Sequence, residues 1–142
     1  MKINFKRTDG KAQTPTYATD GSGAFDFYAL DSKMIMPQSS SILRTGISVE
    51  VPEGYVMLIF SRSGHGFNSN IRLSNCVGVV DSDYRGEVMI SLYNDAQVNY
   101  LASTGSRIAQ GILFPVEKVE FVEVESLSET DRGMHGFGST GG

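Results

Sequence analysis

A chain of 142 residues with a hydrophobic fraction of 40% can build one domain with its own core and is far from a disordered composition. The net charge of −4 excludes the basic field that grips a nucleic-acid backbone, so a polyanionic ligand must be met locally by a few arginines. The single cysteine, Cys76, excludes an intrachain disulfide and reads as a small core residue in a reducing compartment, and no apolar run approaches the roughly 20 residues of a membrane span, so a soluble cytoplasmic protein is expected.

The apolar pattern has a period of two almost throughout. "MKINF" alternates and lacks the hydrophobic run of a signal peptide. "ILRTGISVEV" puts Ile47, Val49 and Val51 on one face. "YVMLIF", "CVGVV", "EVMISLY", "RIAQGILF" and "VEKVEFVEVE" follow as short β-rich runs, separated by the turn signals "PEG", "YRG", "NDA" and "STG". No helical stripe of useful length is present, and one short turn over residues 94–101 is conceivable. Many short strands predict an all-β fold, a jelly-roll-like barrel or sandwich. From Ser126 the pattern dissolves, which divides the chain into a β domain over 1–125 and a C-terminal arm over 126–142.

Three segments carry candidate chemistry. In "FSRSGHGF", Arg62, Ser63 and Gly64 follow an apolar strand, and a guanidinium, a hydroxyl and free backbone N–H groups at a strand end suit a phosphate. An ordinary surface loop has the same composition, and no P-loop pattern is present. "NCVGVVDSDYRGEVMISLYN" reads as strand, hairpin turn, strand, with Asp81 and Asp83 in the turn. Aspartate is common in turns, yet Asp81 at a strand end is placed to serve as a general base toward a water. Gly78 in a β-branched run permits close approach of a ligand to the strand backbone. His65 and His135 make no metal site, and no Ser-His-Asp arrangement is legible. The last segment, "RGMHGFGSTGG", cannot pack itself, and ordering it costs about 1–2 kcal/mol per residue. It reads either as a frayed terminus or linker scar, or as a flap that orders over a ligand.

Together "YATDGSGAFDFYA", "SRSG", "NCVGVVDSDYRGEVMISLYN", "RIAQGILFP" and "RGMHGFGSTG" resemble the five motifs of the trimeric dUTPase family, in the family's order and across most of the chain. The resemblance implies a jelly-roll-like β fold and a homotrimer with active sites at subunit interfaces. It implies an arm, supplied by a neighbour, that closes over the triphosphate. It implies magnesium-assisted hydrolysis of dUTP to dUMP and pyrophosphate, which keeps uracil out of DNA and supplies dUMP for thymidylate synthesis. In that resemblance Asp81 activates the water that attacks the α-phosphorus. Tyr84 lies on the deoxyribose and excludes a 2′-hydroxyl. Asn75 and the backbone of Gly78, Val79 and Val80 read uracil, with Met89 lining the pocket. Arg62, Ser63, Gly64 and Gln110 bind phosphates. From the arm, Phe137 stacks on uracil, while Arg132, Gly138, Ser139 and Thr140 hold the β- and γ-phosphates. Mg2+ rides mainly on the phosphates, with Asp26 near them as a ligand or a supporting residue. Two departures stand out: Gly23 and Ala24 are in the opposite order to the usual first motif, and His135 replaces a glycine or an acid in the fifth. A dCTP deaminase and a non-enzymatic regulator built on the same scaffold are the rivals.

Overall fold

The computed structural model describes residues 1–137. Its elements, in chain order, are β1 (Asn4–Arg7), β2 (Thr16–Tyr17), β3 (Phe25–Tyr28), β4 (Lys33–Ile35), β5 (Ser39–Glu50), β6 (Tyr55–Phe60), α1 (Ser63–Ser69), β7 (Ile71–Leu73), β8 (Val77–Val80), β9 (Glu87–Asn94), β10 (Tyr100–Ala102) and β11 (Arg107–Pro115). They assemble into a four-stranded sheet, β1-β5-β9-β7, a five-stranded sheet, β2-β3-β11-β6-β8, and a β10-β4 ribbon. The expected all-β class holds. The barrel alternative does not: the two large sheets keep separate edges and pack as a sandwich.

The period of two decides what is inside. Val88, Ile90 and Leu92 of β9 point inward, as do Ile47 and Val49 of β5 and Val51 beyond it. They meet Phe25 and Phe27 of β3, Met57 and Ile59 of β6 and Ile108 of β11 in one core. Among the described residues no helix is long and apolar enough to cross a membrane.

Glu87, at the start of β9, joins three segments. Its carboxylate accepts bonds from Arg44 Nη2 (2.9 Å), from the backbone N–H of Gly46 (2.9 Å) and from Thr8 Oγ1 (3.1 Å). Gly46 sits at φ +67°, in the irregularity of β5 between Arg44 and Ser48, where a Cβ would press on Ala12 at 2.7 Å. Desolvation raises the Glu87 pKa, but the bonds from Arg44, Gly46 and Thr8 and the Arg44 charge outweigh it and hold the carboxyl below its usual range. A lowered folded pKa means that this contribution is present above the unfolded value of about 4.3 and fades as pH falls through the folded one. Glu87→Gln is therefore expected to lose about 1–3 kcal/mol at pH 7 and progressively less than that below about pH 4, measured by denaturant unfolding at several pH values.

Five local readings are corrected by the fold. Residues 63–69 form a helix, which the sequence hides because two glycines interrupt it and none of its residues is fully buried. Residues 94–101 form no helical turn: β9 ends at Asn94 and a bend leads into β10. Cys76 is exposed, not core. It sits at φ +61° in a three-residue turn closed by Val77 N–H on Asn75 C=O (2.6 Å). Strands β8 and β9 are not a paired hairpin: β8 pairs with β6, while β9 pairs with β5 and β7 in the other sheet. Finally, "VEKVEFVEVE" forms no strand, and its Val119, Phe121 and Val122 are exposed. Alternation supplies one apolar edge, but a strand also needs a partner's backbone, and beyond the bond from Val116 N–H to the Gly54 carbonyl (2.9 Å) the run has none among the described residues.

Candidate active site

Because β8 and β9 enter different sheets, the turn between them spans a gap rather than closing a hairpin. That gap is a cleft of about 290 Å³, lined by Asn75, Gly78, Val79, Val80, Asp81, Tyr84 and Met89 together with core residues such as Ile59 and Ile90. The residues expected to meet the base, the sugar and the attacking water are thus brought together. The sheet order explains the backbone's availability. β8 is the outer strand of its sheet, bonded to β6 on one side only, so its other edge offers N–H and C=O groups to a flat ligand. Gly78 lies opposite Ile59, and a Cβ there would stand 3.1 Å from the Ile59 Cβ. Its missing side chain serves packing against β6 as well as the cleft.

The two carboxylates of the turn part company. Asp81 lines this cleft, whereas Asp83 lines a separate charged depression with Glu50, Arg85 and Lys2. The turn is held by Tyr84 N–H on Asp81 C=O (3.2 Å) and by the Arg85 guanidinium on the carbonyls of Ser82 (2.6 Å) and Tyr84 (2.9 Å). The Tyr84 hydroxyl donates to the Glu87 carbonyl (3.0 Å), which anchors the ring to the start of β9.

The phosphate candidates occupy a second cleft, lined by Asp26, Arg62, Ser63, Arg107 and Gln110 with Gly23 and Ala24 at its rim. Gln110 stands level with Asp26 of β3 and with Phe60 of β6, so all three side chains share a face. Its amide donates to the Ser61 carbonyl (2.8 Å). Arg62 precedes α1, and the N–H groups of Ser63 and Gly64 in the first turn have no acceptor within the helix. The Asp26 carboxylate is buried. Arg62 Nε donates to one oxygen (2.9 Å) and Arg107 Nη1 to the other (3.3 Å), which leaves one positive charge in excess. Arg107 was not singled out in the sequence, although it opens the "RIAQG" run; only its bond to the Asp26 carboxylate across β3 and β11 reveals it.

Both Asp26 oxygens are thus engaged by guanidinium groups, and no cluster of three or more His, Cys, Asp or Glu occurs among the described residues. The donor set suits an ion carried on phosphate oxygens and offers no protein cage for one. His65, in α1, has a pKa lowered by desolvation and by the Arg62 charge against the pull of Asp26, so it is neutral near pH 7. Its Nε2 meets the Tyr100 hydroxyl at 3.3 Å.

The two clefts share no lining residue. Ile59 lines the first and its neighbour Phe60 the second, and successive side chains of a strand point to opposite faces. Nor do the arm residues reach either cleft. Arg132 bonds only locally, to the His135 carbonyl (3.0 Å), and Phe137 is fully exposed. Gly138, Ser139 and Thr140 lie outside the described residues.

A family model described as dUTPase matches residues 10–141. The chain is 41% identical over 141 residues to a deoxyuridine 5′-triphosphate nucleotidohydrolase of Helicobacter pylori, covering 99% of this chain and 97% of that one. It is similar in structure to the Staphylococcus bacteriophage 80alpha dUTPase with dUpNHpp, at TM-score 0.92 and 26% identity, covering 99% and 98% of the two chains. A phage phi11 dUTPase from S. aureus, described with a structural Mg(II) ion, shares the fold at TM-score 0.83 and 22% identity, covering 89% and 98%. With the match running over nearly the whole length, and with the five motifs falling on the two clefts and the arm, the chain belongs to the dUTPase family.

Proposed function

We propose that the protein hydrolyses dUTP to dUMP and pyrophosphate, as a homotrimer whose active sites are each built from more than one copy of the chain. The observation that carries the reading is the cleft at the outer edge of β8, which gathers Asn75, Asp81, Tyr84 and Met89 around exposed strand backbone. A backbone edge supplies fixed donors and acceptors for uracil, and close walls reject the extra methyl of thymine by clash. The Asp81 carboxylate accepts a proton from the water that attacks the α-phosphorus. The positive excess of Arg62 and Arg107 over Asp26, with the free N–H groups of Ser63 and Gly64 and the Gln110 amide, holds the phosphates in line. Asp26 is a positioning residue for Arg62. Bound magnesium, held mainly by the substrate's phosphates rather than by a protein cage, would supply further charge neutralisation.

Geometry and charge support an assembly of several copies. The clefts for nucleoside and phosphate share no lining residue in one chain, which favours a second copy for a nucleotide that uses both sets. The domain over 1–125 ends in the acidic run "VEKVEFVEVE", while β1 is a basic outer strand carrying Lys6 and Arg7. An unpaired acidic strand-forming run and an unpaired basic edge complement each other across copies. The arm over 126–142 then brings Arg132, Phe137, Gly138, Ser139 and Thr140 to a neighbour's site.

A pyrophosphate-release assay with dUTP, dTTP, dCTP and UTP tests the activity; strong preference for dUTP is expected, and ammonia release from dCTP would overturn it. Tyr84→Ala should cut the ratio of kcat/KM for dUTP over UTP by about 10-fold or more while changing dUTP turnover less, since a close-packed ring rejects an added hydroxyl by no more than about 10²-fold. An unchanged ratio would remove Tyr84 from the role of sugar gate.

A further inference from the structure

Gly86 is the last residue of the turn, and its φ lies outside the left-handed region that favours glycine, so the backbone is not what first calls for a glycine here. What an alanine cannot do is coexist with Tyr84. A Cβ built on Gly86 falls 2.6 Å from Tyr84 Cζ and 3.0 Å from Cε2, and closer still to the hydroxyl. The phenol end of the tyrosine ring therefore occupies the space a side chain would take. Its hydroxyl is fixed to the Glu87 carbonyl (3.0 Å), and Glu87 is in turn fixed by Arg44, Gly46 and Thr8. An alanine therefore requires the half-exposed ring to move from this position.

We infer that Gly86 is a positioning residue for sugar selection: the absence of its side chain is the seat on which the Tyr84 ring rests against the deoxyribose. The inference rests on the reading of Tyr84 as the sugar gate. Asp81 is tied to the turn by backbone, through Tyr84 N–H on Asp81 C=O, and no side-chain hydrogen bond joins its carboxylate to the ring among the described residues. Displacing the ring should therefore change selection more than chemistry.

The test is a cycle of Gly86→Ala, Tyr84→Ala and the double variant, each assayed for kcat and KM with dUTP and with UTP, with thermal unfolding alongside. Gly86→Ala is expected to lower the dUTP over UTP ratio about 10-fold, close to the loss in Tyr84→Ala. In the double variant the added alanine should change the ratio no further and restore any stability lost in Gly86→Ala, because no ring remains to displace. A wild-type ratio in Gly86→Ala beside a reduced one in Tyr84→Ala overturns the seat and leaves the gate intact. Equal destabilisation by the alanine with and without the ring also overturns it, since the glycine would then serve the backbone. An unchanged ratio in Tyr84→Ala removes the gate itself, and the seat with it.

Discussion

Asp81→Asn is expected to bind dUTP nearly as well as the wild type and to turn it over about 10²–10⁴-fold more slowly, the range lost when a general base is removed. The substitution keeps shape and one acceptor oxygen but leaves no group able to take the proton of the attacking water. The fold should not notice. Asp81 is exposed, and the bond that closes its turn uses its backbone carbonyl, which asparagine retains. Asp83→Asn is the internal control, because Asp83 lines a different depression with Glu50 and Arg85. Steady-state kinetics and binding of a non-hydrolysable dUTP analogue separate the two effects. Turnover within a few-fold of wild type in Asp81→Asn, or an equal loss in Asp83→Asn, would mean that the water is activated elsewhere.

The parts of this fold that were legible in the sequence are those governed by local rules. Period-two alternation located β5, β6, β9 and β11 and named Ile47, Val49 and Val51 as one inward face. Arg62–Gly64 and Asp81 stood out as candidates because turn and strand-end residues exceeded what a turn needs. What stayed hidden depends on distant partners. Nothing local to "CVGVV" and "EVMISLY" says that they pair in different sheets, yet that separation creates the cleft. Arg107 acquires its meaning only from its bond to the Asp26 carboxylate, 81 positions away. The exposure of Cys76 follows from a tight turn with φ +61°, which composition cannot reveal. The strand pattern over 117–125 is a local preference that finds no backbone partner among the described residues.

Deleting everything after Ser128 should leave a protein that folds and assembles but has lost at least about 10²-fold in kcat/KM for dUTP. The last fully buried core residue is Ala109, and among the described residues no hydrogen bond joins 117–137 to the rest of the chain. The melting temperature should accordingly move little. What disappears is the arm's share of the ligand contacts. Stacking of Phe137 on a base is worth about 1–3 kcal/mol, and an arginine on a phosphoryl group under attack is worth more than that. Ordering the segment from Arg132 to Phe137 costs about 1–2 kcal/mol per residue, so base stacking alone cannot hold it down. The balance must come from the β- and γ-phosphates. It follows that a non-hydrolysable dUTP analogue with magnesium should slow hydrogen exchange over residues 130–137, whereas dUMP should leave it nearly as fast as in the free protein. Slow exchange without nucleotide, or full activity after truncation, would mean that the phosphates do not close the arm. If dUMP protected as well as the triphosphate analogue, the base alone would be holding it, and product release rather than triphosphate capture would be the step the arm controls.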